Sequence, residues 1–281
     1  MKRNSWLLII VVIIVIIFIA YILRKKSTVF DGEILIYGDK DGAKCLTDKE
    51  TVVINENLMP GFIKIGVDTY VTYNKSDSDE DMVVQFTNKR EEIQVEENHS
   101  TLRFNKNNNR LYYLDNNMVK SYDVETGEVT ELIDVECGEN DSFYISADEE
   151  FVYYINDDIG NKLLKKNIMS GDTSVITNDV NQFDVSGNGK MVIQKTAAED
   201  FGIYIYDMQK DTMNIIFNKA ELSNDIAISG NAEYILYTKH NYFWFFDNGN
   251  DDLHLYNIKA KNDSVIYRTS RGEQIESISL F

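Results

Sequence analysis

The sequence predicts an all-β fold, a six-bladed β-propeller with end-to-end closure, preceded by one N-terminal transmembrane helix. An apolar run near the N-terminus predicts the helix, because it is long enough to cross a bilayer. A repeat of roughly 40 residues with four short strands in each copy predicts the propeller. These observations divide the chain into an anchor with basic flanks over residues 1–27 and a propeller domain over residues 28–281.

The predicted anchor is the uninterrupted apolar run over residues 6–23. A bilayer core requires about 20 apolar residues in a helix, since every backbone donor and acceptor has to be satisfied within the segment. A cleavable signal peptide has a shorter apolar stretch and a small-residue cleavage site, whereas this run continues to Leu23 and then meets Arg24. A buried helix of a soluble domain, the alternative, would carry a polar face. We therefore expect a retained single-pass anchor.

The orientation of the domain depends on the basic residues that flank the anchor. Lys2 and Arg3 precede the run, and three basic residues at positions 24–26 follow it. Taken alone, the second group would hold the domain in the cytoplasm under the positive-inside rule. The tail before the run is only five residues long, which favours a tail kept inside and an exported domain. We expect a single-pass protein of the cell membrane whose C-terminal domain is extracytoplasmic.

The charge of the domain restricts its partners. Five of the 28 Lys and Arg flank the anchor and all 46 acidic residues follow it, so the domain has two acidic residues for every basic one. Nucleic-acid binding requires clustered basic residues, and we therefore expect no nucleic-acid partner. Cys45 and Cys137 are too few for a disulfide scaffold, which leaves open whether they pair with each other.

Each repeat begins with a short alternating strand followed by a polar turn. Four copies of this strand align at nearly constant spacing, at residues 102–105, 143–146, 183–186 and 226–229. Each copy continues with a second, apolar strand, a third strand after a loop of variable length, and a fourth strand after a tight turn. A short strand that is apolar on both faces is typical of a sheet that packs between two neighbours.

The two ends of the domain complete the predicted ring. A fifth, more divergent copy covers residues 62–95, and residues 33–54 resemble the second to fourth strands of a copy that lacks its first. The C-terminal residues 276–281 align with the first strand of the preceding copy and then stop. Joining this strand to the N-terminal three removes exposed sheet edges and brings the expected count to six blades.

Short sequence motifs resemble those of a known family. A Ser-x-Asn/Asp turn follows the first strand at Ser146, Ser186 and Ser229, and a Tyr-Asp-Val-Glu-Thr-Gly-Glu hairpin begins at Tyr122. With these motifs the chain resembles the TolB-like family of bacterial β-propeller repeats over essentially everything after the anchor. The resemblance implies a protein-binding propeller, although the members of the family differ in their partners.

The sequence offers no clear catalytic, cofactor or metal site. His99, His240 and His254 lack metal-ligand spacing, and nucleophile-elbow, phosphate-loop and paired-cysteine motifs are missing from the chain. Acidic loops, such as residues 77–81 and 247–252, contain oxygen ligands that suit Ca²⁺, but Asp, Asn and Gly are also ordinary turn residues. We expect no catalytic residue, cofactor or metal. An envelope enzyme acting on glycan through channel carboxylates and a Ca²⁺ or small-ligand sensor are the alternatives.

Five consecutive aromatic residues form the most unusual segment of the domain. They lie in a connection about ten residues longer than its equivalents in the other repeats and are Tyr242, Phe243, Trp244, Phe245 and Phe246. Aromatic residues dominate the anchors of protein interfaces, so we take them as the candidate partner-binding site. The alternatives are that these residues extend the hairpin of the blade and pack over its neighbour, or that they contact the membrane. The predicted function is a membrane-anchored, non-catalytic β-propeller that binds a protein or other envelope component as a binding or scaffold module.

Overall fold

The computed structural model describes residues 34–38, 42–46, 51–55, 62–65, 69–75, 82–86, 92–95, 102–106, 108–137, 142–157, 159–197, 200–218, 225–243 and 246–280. Within these ranges the chain forms 24 strands, arranged in six four-stranded antiparallel sheets. We number the sheets I to VI from the N-terminus.

Five of the sheets consist of four strands that are consecutive in the chain. Sheet II contains β4 (Ile63–Lys64), β5 (Tyr70–Lys75), β6 (Met82–Phe86) and β7 (Glu92–Val95). Sheet III contains β8 (Leu102–Asn105), β9 (Arg110–Asp115), β10 (Met118–Asp123) and β11 (Val129–Asp134). Sheet IV contains β12 (Phe143–Ile145), β13 (Phe151–Asn156), β14 (Lys162–Asn167) and β15 (Thr173–Thr177). Sheet V contains β16 (Val180–Val185), β17 (Lys190–Lys195), β18 (Gly202–Asp207) and β19 (Thr212–Phe217). Sheet VI contains β20 (Ile226–Ile228), β21 (Tyr234–Phe243), β22 (Phe246–Asn257) and β23 (Asn262–Arg268).

Sheet I joins the two ends of the described chain. Its strands are β1 (Ile34–Gly38), β2 (Gly42–Leu46), β3 (Thr51–Asn55) and, next to β1, the last strand β24 (Ile275–Leu280). The pairing of β24 with β1 is antiparallel and aligns Ile36 with Ile278. Ile36 and Ile278 are buried in one hydrophobic cluster with Leu236 and Leu253 of sheet VI. The closing strand is therefore fixed both by backbone pairing and by apolar contact with the neighbouring sheet.

The structure corrects the predicted fold class. The predicted count of six blades is wrong, since the described residues form five blades of consecutive strands, beside the composite sheet I that joins the two chain ends. The described residues also form strands without any helix, and none of their segments is a helix long and apolar enough to cross a membrane. The physical reason is that short runs of β-branched and aromatic residues fill the described ranges, and such runs favour strands. The predicted anchor, residues 1–27, lies outside the described residues.

The hydrophobic core is divided into clusters that lie between neighbouring sheets. In one of them Tyr112 and Leu114 of sheet III pack with Phe143 and Val152 of sheet IV. The second strands supply much of this core, because five of the six residues of β9, β13 and β17 are buried. Since burying one large apolar side chain contributes about 1.5–3 kcal/mol, each sheet gains most of its stability from its neighbours.

The fourth strands share an irregularity that the sequence pattern does not reveal. In sheets I, III, IV, V and VI, the pairing between the third and fourth strands shifts by one residue, as in a β-bulge. In sheet V the extra residue is Ile216, which packs with its neighbour Phe217 in the cluster between sheets V and VI. The bulge thus allows two consecutive apolar side chains to reach the core, where strict alternation would bury only one.

The serine turns that carry the family resemblance have a common hydrogen-bond pattern. Ser146 donates its hydroxyl to Asp148 at 2.6 Å and accepts the backbone N–H of Phe151 at 2.9 Å. The corresponding serines 186 and 229 bond in the same way to the asparagines two residues later. These bonds close the turn between the first and second strands, which explains why the motif recurs.

Removal of residues 276–281 should destabilise the whole domain, because it deletes all but one residue of β24, Ile275, and exposes the edge of β1. We expect a melting temperature lower by several degrees, since a loss of 1 kcal/mol shifts the melting temperature of a large domain by about 2–4 °C. Circular dichroism of the full and shortened chains measures this shift. Deletion of residue 281 alone is the control, since it leaves β24 complete. An unchanged melting temperature in the shortened chain would contradict the role of β24 in closure.

Candidate functional site

The hairpin of sheet VI is longer than its counterparts. Strands β21 and β22 contain 10 and 12 residues, whereas the central strands of the other sheets contain five or six. The pairs from Tyr234–Asn257 to Lys239–Asp252 match the complete hairpin of sheet IV, from Phe151–Asn167 to Asn156–Lys162. Beyond Lys239–Asp252, the pairing continues through His240–Asp251, Asn241–Asn250 and Phe243–Phe246. We call residues 240–251, which extend beyond the ordinary blade, the arm.

The arm contains the predicted partner-binding residues. Tyr242 and Phe243 lie in β21 and Phe246 lies in β22, while Trp244 and Phe245 lie outside the described residues. Strands β21 and β22 are paired up to these residues, which agrees with the alternative in which the aromatic segment extends the hairpin of the blade. Aromatic residues favour strands. Phe243 and Phe246 form the last described pair of the arm. Its role in partner binding stays a prediction.

Asp251 holds the base of the arm. Its side chain is 4% exposed, and its Oδ1 lies 2.6 Å from Nδ1 of His240 on the facing strand. Its other oxygen, Oδ2, accepts the backbone N–H of Ile275 at 2.7 Å. The backbone N–H of Asp251 donates to Oγ1 of Thr269 at 2.8 Å, and the N–H of Thr269 donates back to the carbonyl of Asp251 at 3.0 Å. One carboxylate therefore joins the arm to the first residue of β24.

The next residue, Asp252, makes a separate ion pair within the sheet. Its two carboxylate oxygens accept hydrogen bonds from Nε and from a terminal nitrogen of Arg268 on β23, at 2.5 and 2.7 Å. The hydrogen bond from Arg268 lowers the pKa of Asp252 below its usual range. Neighbouring carboxylates on β22 thus connect the strand in two directions, Asp251 towards β24 and Asp252 towards β23.

A glycine allows the strands of the arm to approach each other. A Cβ atom added to Gly249 would lie 1.7 Å from the backbone oxygen of Asn241 and 2.9 Å from Nε2 of His240. Real Cβ contacts of this kind do not occur, so only glycine fits here. The carbonyl of Gly249 also accepts the N–H of Gly272, from the segment between β23 and β24.

The other polar residues singled out from the sequence have structural partners where the structure describes them. His254 lies 3.1 Å from Asp263 and stacks on the ring of Tyr237. His99 and the acidic segment 77–81 lie outside the described residues. Residues 247–252, expected to form a loop, belong to β22. Groups of three or more potential metal ligands do not occur among the described side chains. Cys45 and Cys137 are not joined by a disulfide and belong to different hydrophobic clusters.

A second polar cluster lies on the first strands, which contact one another across neighbouring sheets. The side-chain amide of Gln182 donates to Oδ1 of Asp225 at 3.0 Å, and its carbonyl accepts the N–H of Ile226 at 3.2 Å. Oδ2 of Asp184 accepts the N–H of Ile228 at 2.9 Å. These bonds join sheet V to sheet VI by polar contacts between their first strands.

Burial controls the charge of this cluster. It raises the pKa of Asp225 to about 7, against the lowering effect of the Gln182 bond, with a further increase from the charge of Asp184. Burial also raises the pKa of Asp184, and the positive charge of Arg103 on sheet III opposes that change. The backbone N–H of Ile278 also lowers the pKa of Asp225, although Oδ2 of Asp225 makes no hydrogen bond of normal length in the described structure. Asp225 is therefore suited to carry a proton near neutral pH.

These cluster residues were not predicted from the sequence, although the repeat contained a signal for part of the cluster. Arg103, Tyr144 and Asp184 occupy the second position of the first strand in three successive copies. Alternation along a strand places such equivalent positions on the same face. Asp225 precedes its strand and Gln182 precedes the aligned segment, so the register of the repeat does not identify them.

Comparison with known proteins supports the fold. The sequence matches no protein-family model and no curated protein. The structure is similar to the crystal structure of TolB from Acinetobacter baumannii, with a TM-score of 0.63 and 10% identity over 90% of this chain and 67% of that chain. It is also similar to a chain in the crystal structure of a nidogen/laminin complex, with a TM-score of 0.60 and 8% identity over 88% of this chain and 97% of that chain. The resemblance to TolB-like propellers is confirmed for the fold, which is an all-β propeller.

The raised pKa of Asp225 predicts a pH-dependent stability. Between about pH 4 and pH 7 the folded chain keeps a proton on Asp225 that the unfolded chain releases, so this contribution to stability falls as the pH rises. The fall is at most about 4 kcal/mol, since one pKa unit corresponds to about 1.4 kcal/mol. Urea unfolding of the wild type and D225N, measured at several pH values, isolates the contribution of this residue. Asparagine stays neutral and keeps the acceptor for Gln182.

The exposed carboxylate variant D172N serves as the control for the urea measurements. We expect its free energy of unfolding to follow the wild-type pH dependence, whereas the D225N curve should be flatter between pH 4 and 7. Parallel curves for D225N and the wild type would show that Asp225 is ionised throughout this range.

Proposed function

We propose that this chain is a non-catalytic β-propeller that binds a protein partner through the arm of sheet VI, and thereby acts as a binding or scaffold module of the cell envelope. The observation that carries the proposal is the arm itself. It extends one blade by additional paired residues, the last described pair being Phe243 with Phe246, and its sequence contains five consecutive aromatic residues.

The construction of the arm suits protein recognition. Tyr, Trp and Phe bury a large area at low cost in side-chain entropy, which is why they are frequent at interface centres. A binding element that is already ordered loses less entropy when its partner binds. Asp251 and Gly249 provide such order at the base of the arm, by a buried hydrogen-bond network and by close strand contact.

The charge of the domain indicates the kind of partner. The chain has a formal net charge of −18, and its domain has two acidic residues for every basic one. Complementary charge favours encounter with a basic surface and disfavours acidic ones. We therefore expect a protein with an apolar recess for the aromatic residues and a basic rim around it.

The structural comparisons support this proposal only by analogy. One of the similar propellers was crystallised in a complex described as nidogen/laminin, and the other is TolB, the name of the family that the sequence resembles. Similarity at 8–10% identity concerns the fold, and the same fold supports many functions. The arm and its chemistry are therefore what indicates the partner of this chain.

We propose further that residues 6–23 anchor the chain in the cell membrane, with the propeller outside the cytoplasm. The apolar run has the length of a bilayer-spanning helix, and the short N-terminal tail favours export of the domain. Attachment to the membrane would hold the arm near other envelope proteins and so raise their effective concentration.

Site-specific photocrosslinking in the cells that produce the protein tests the binding role. The photoreactive residue p-benzoylphenylalanine replaces Tyr242 or Phe246 in the arm, or Met169 as a control. Met169 is 93% exposed on the turn between β14 and β15. We expect one and the same protein to be crosslinked from both arm positions and not from position 169. Crosslinks that are absent, or equal at all three positions, would exclude the arm as the binding site.

Reporter fusions test the proposed orientation. A C-terminal alkaline phosphatase fusion should be active, because this enzyme becomes active only outside the cytoplasm. A C-terminal green fluorescent protein fusion should be dark, because this protein does not become fluorescent after export by the general secretion route. Both fusions are compared with the same reporters on a cytoplasmic protein. A bright fluorescent fusion with inactive phosphatase would place the domain in the cytoplasm, as the basic residues at positions 24–26 would favour.

A further inference from the structure

We propose that the contacts of Asp251 form a latch that couples the arm to the closing strand, so that a change at the base of the arm alters the pairing of the two chain ends. The latch consists of His240, Asp251 and the backbone N–H of Ile275. This inference concerns the free protein and does not depend on the proposed partner binding.

The latch connects two parts of the chain that are distant in sequence and adjacent in space. His240 and Asp251 form the first cross-strand pair of the arm beyond the ordinary blade. Ile275 is the first residue of β24, the strand that closes sheet I. The two oxygens of one carboxylate face in these two directions, with contacts of 2.6 and 2.7 Å. A shift of Asp251 therefore affects both partners at once.

The surroundings of the latch make it sensitive to substitution. The Asp251 side chain is 4% exposed and the His240 side chain 14% exposed, so water has little access to replace a lost contact. A buried backbone N–H that loses its acceptor is more unfavourable than an exposed one. The segment between β23 and β24 is also held to the arm, through Thr269 on Asp251 and Gly272 on Gly249.

Loss of order at Ile275 would weaken the pairing of β24 with β1, which closes the ring. Ile275 and Ile278 belong to the hydrophobic cluster that contains Leu253 and Leu255 of β22. The same strand pairs with β1 from Gly38, opposite Ile275, to the other end of the strand. Strand pairing and side-chain packing of β24 thus begin next to the latch, which places the arm at the seam between the ends of the chain.

The neighbouring residue provides a matched control. Asp252 is also an acidic residue of β22 with a largely buried side chain, 8% exposed, and it also makes strong hydrogen bonds. Its ion pair with Arg268 ties β22 to β23 and leaves the bond to Ile275 in place. Substitution of Asp252 therefore perturbs the same strand without removing the latch.

Hydrogen exchange of the full chain in detergent micelles, followed by mass spectrometry, tests the proposal. The variants are D251A, H240A and D252A, and the regions compared are residues 275–280 and the arm. We expect D251A and H240A each to accelerate exchange at least tenfold in both regions relative to the wild type. D252A should accelerate exchange in β22 and β23 and leave residues 275–280 at the wild-type rate.

The H240A variant decides between a latch and a simple cap. If D251A accelerates exchange in β24 while H240A leaves it unchanged, Asp251 only satisfies the N–H of Ile275 and coupling to the arm is excluded. If D252A accelerates exchange in residues 275–280 as much as D251A, the effect is a general loosening of β22 and the latch is also excluded. Should D251A fail to fold, the comparison of H240A with D252A gives the answer alone.

Discussion

The pairing of β24 with β1 is the constraint on which the rest of this structure depends. It joins strands from opposite ends of the described chain and completes a four-stranded sheet from one C-terminal and three N-terminal strands. Contacts between such distant segments are entropically unfavourable until much of the chain is ordered. The domain is therefore expected to fold as one cooperative unit, since a single sheet leaves its apolar faces without neighbours.

The packing between the sheets follows from the same constraint. Each hydrophobic cluster in the described part of the chain draws residues from adjacent sheets, and the cluster that contains Ile278 also includes Leu236 and Leu253 of sheet VI. Polar contacts reinforce these seams, as between Gln182 on β16 and Asp225, the residue before β20. Stability is thus distributed around the assembly rather than concentrated in one centre, and the arm lies beside the seam where the chain ends meet.

The sequence identified the strands and their order because the repeat combines alternation with a constant register. The aligned first strands at residues 102–105 and 226–229 correspond to β8 and β20, to within one residue. Features that depend on contacts between strands could not be predicted from the alternation and register of the repeat. The bulge at Ile216, the close approach at Gly249 and the carboxylate of Asp251 between two strands are set by neighbours that the local sequence does not contain. The aromatic run was recognised, and the extension of the blade's hairpin was one of the alternatives predicted for it.

The repeated bulge has a consequence for the behaviour of the molecule at high concentration. An outer strand with regular spacing is a template on which a strand from another molecule can add, and irregular edges prevent such growth. Five of the described fourth strands carry the irregularity, whereas β7 of sheet II pairs without a shift. Among the described fourth strands, β7 is therefore the one whose regular pairing least opposes the addition of a strand from another molecule.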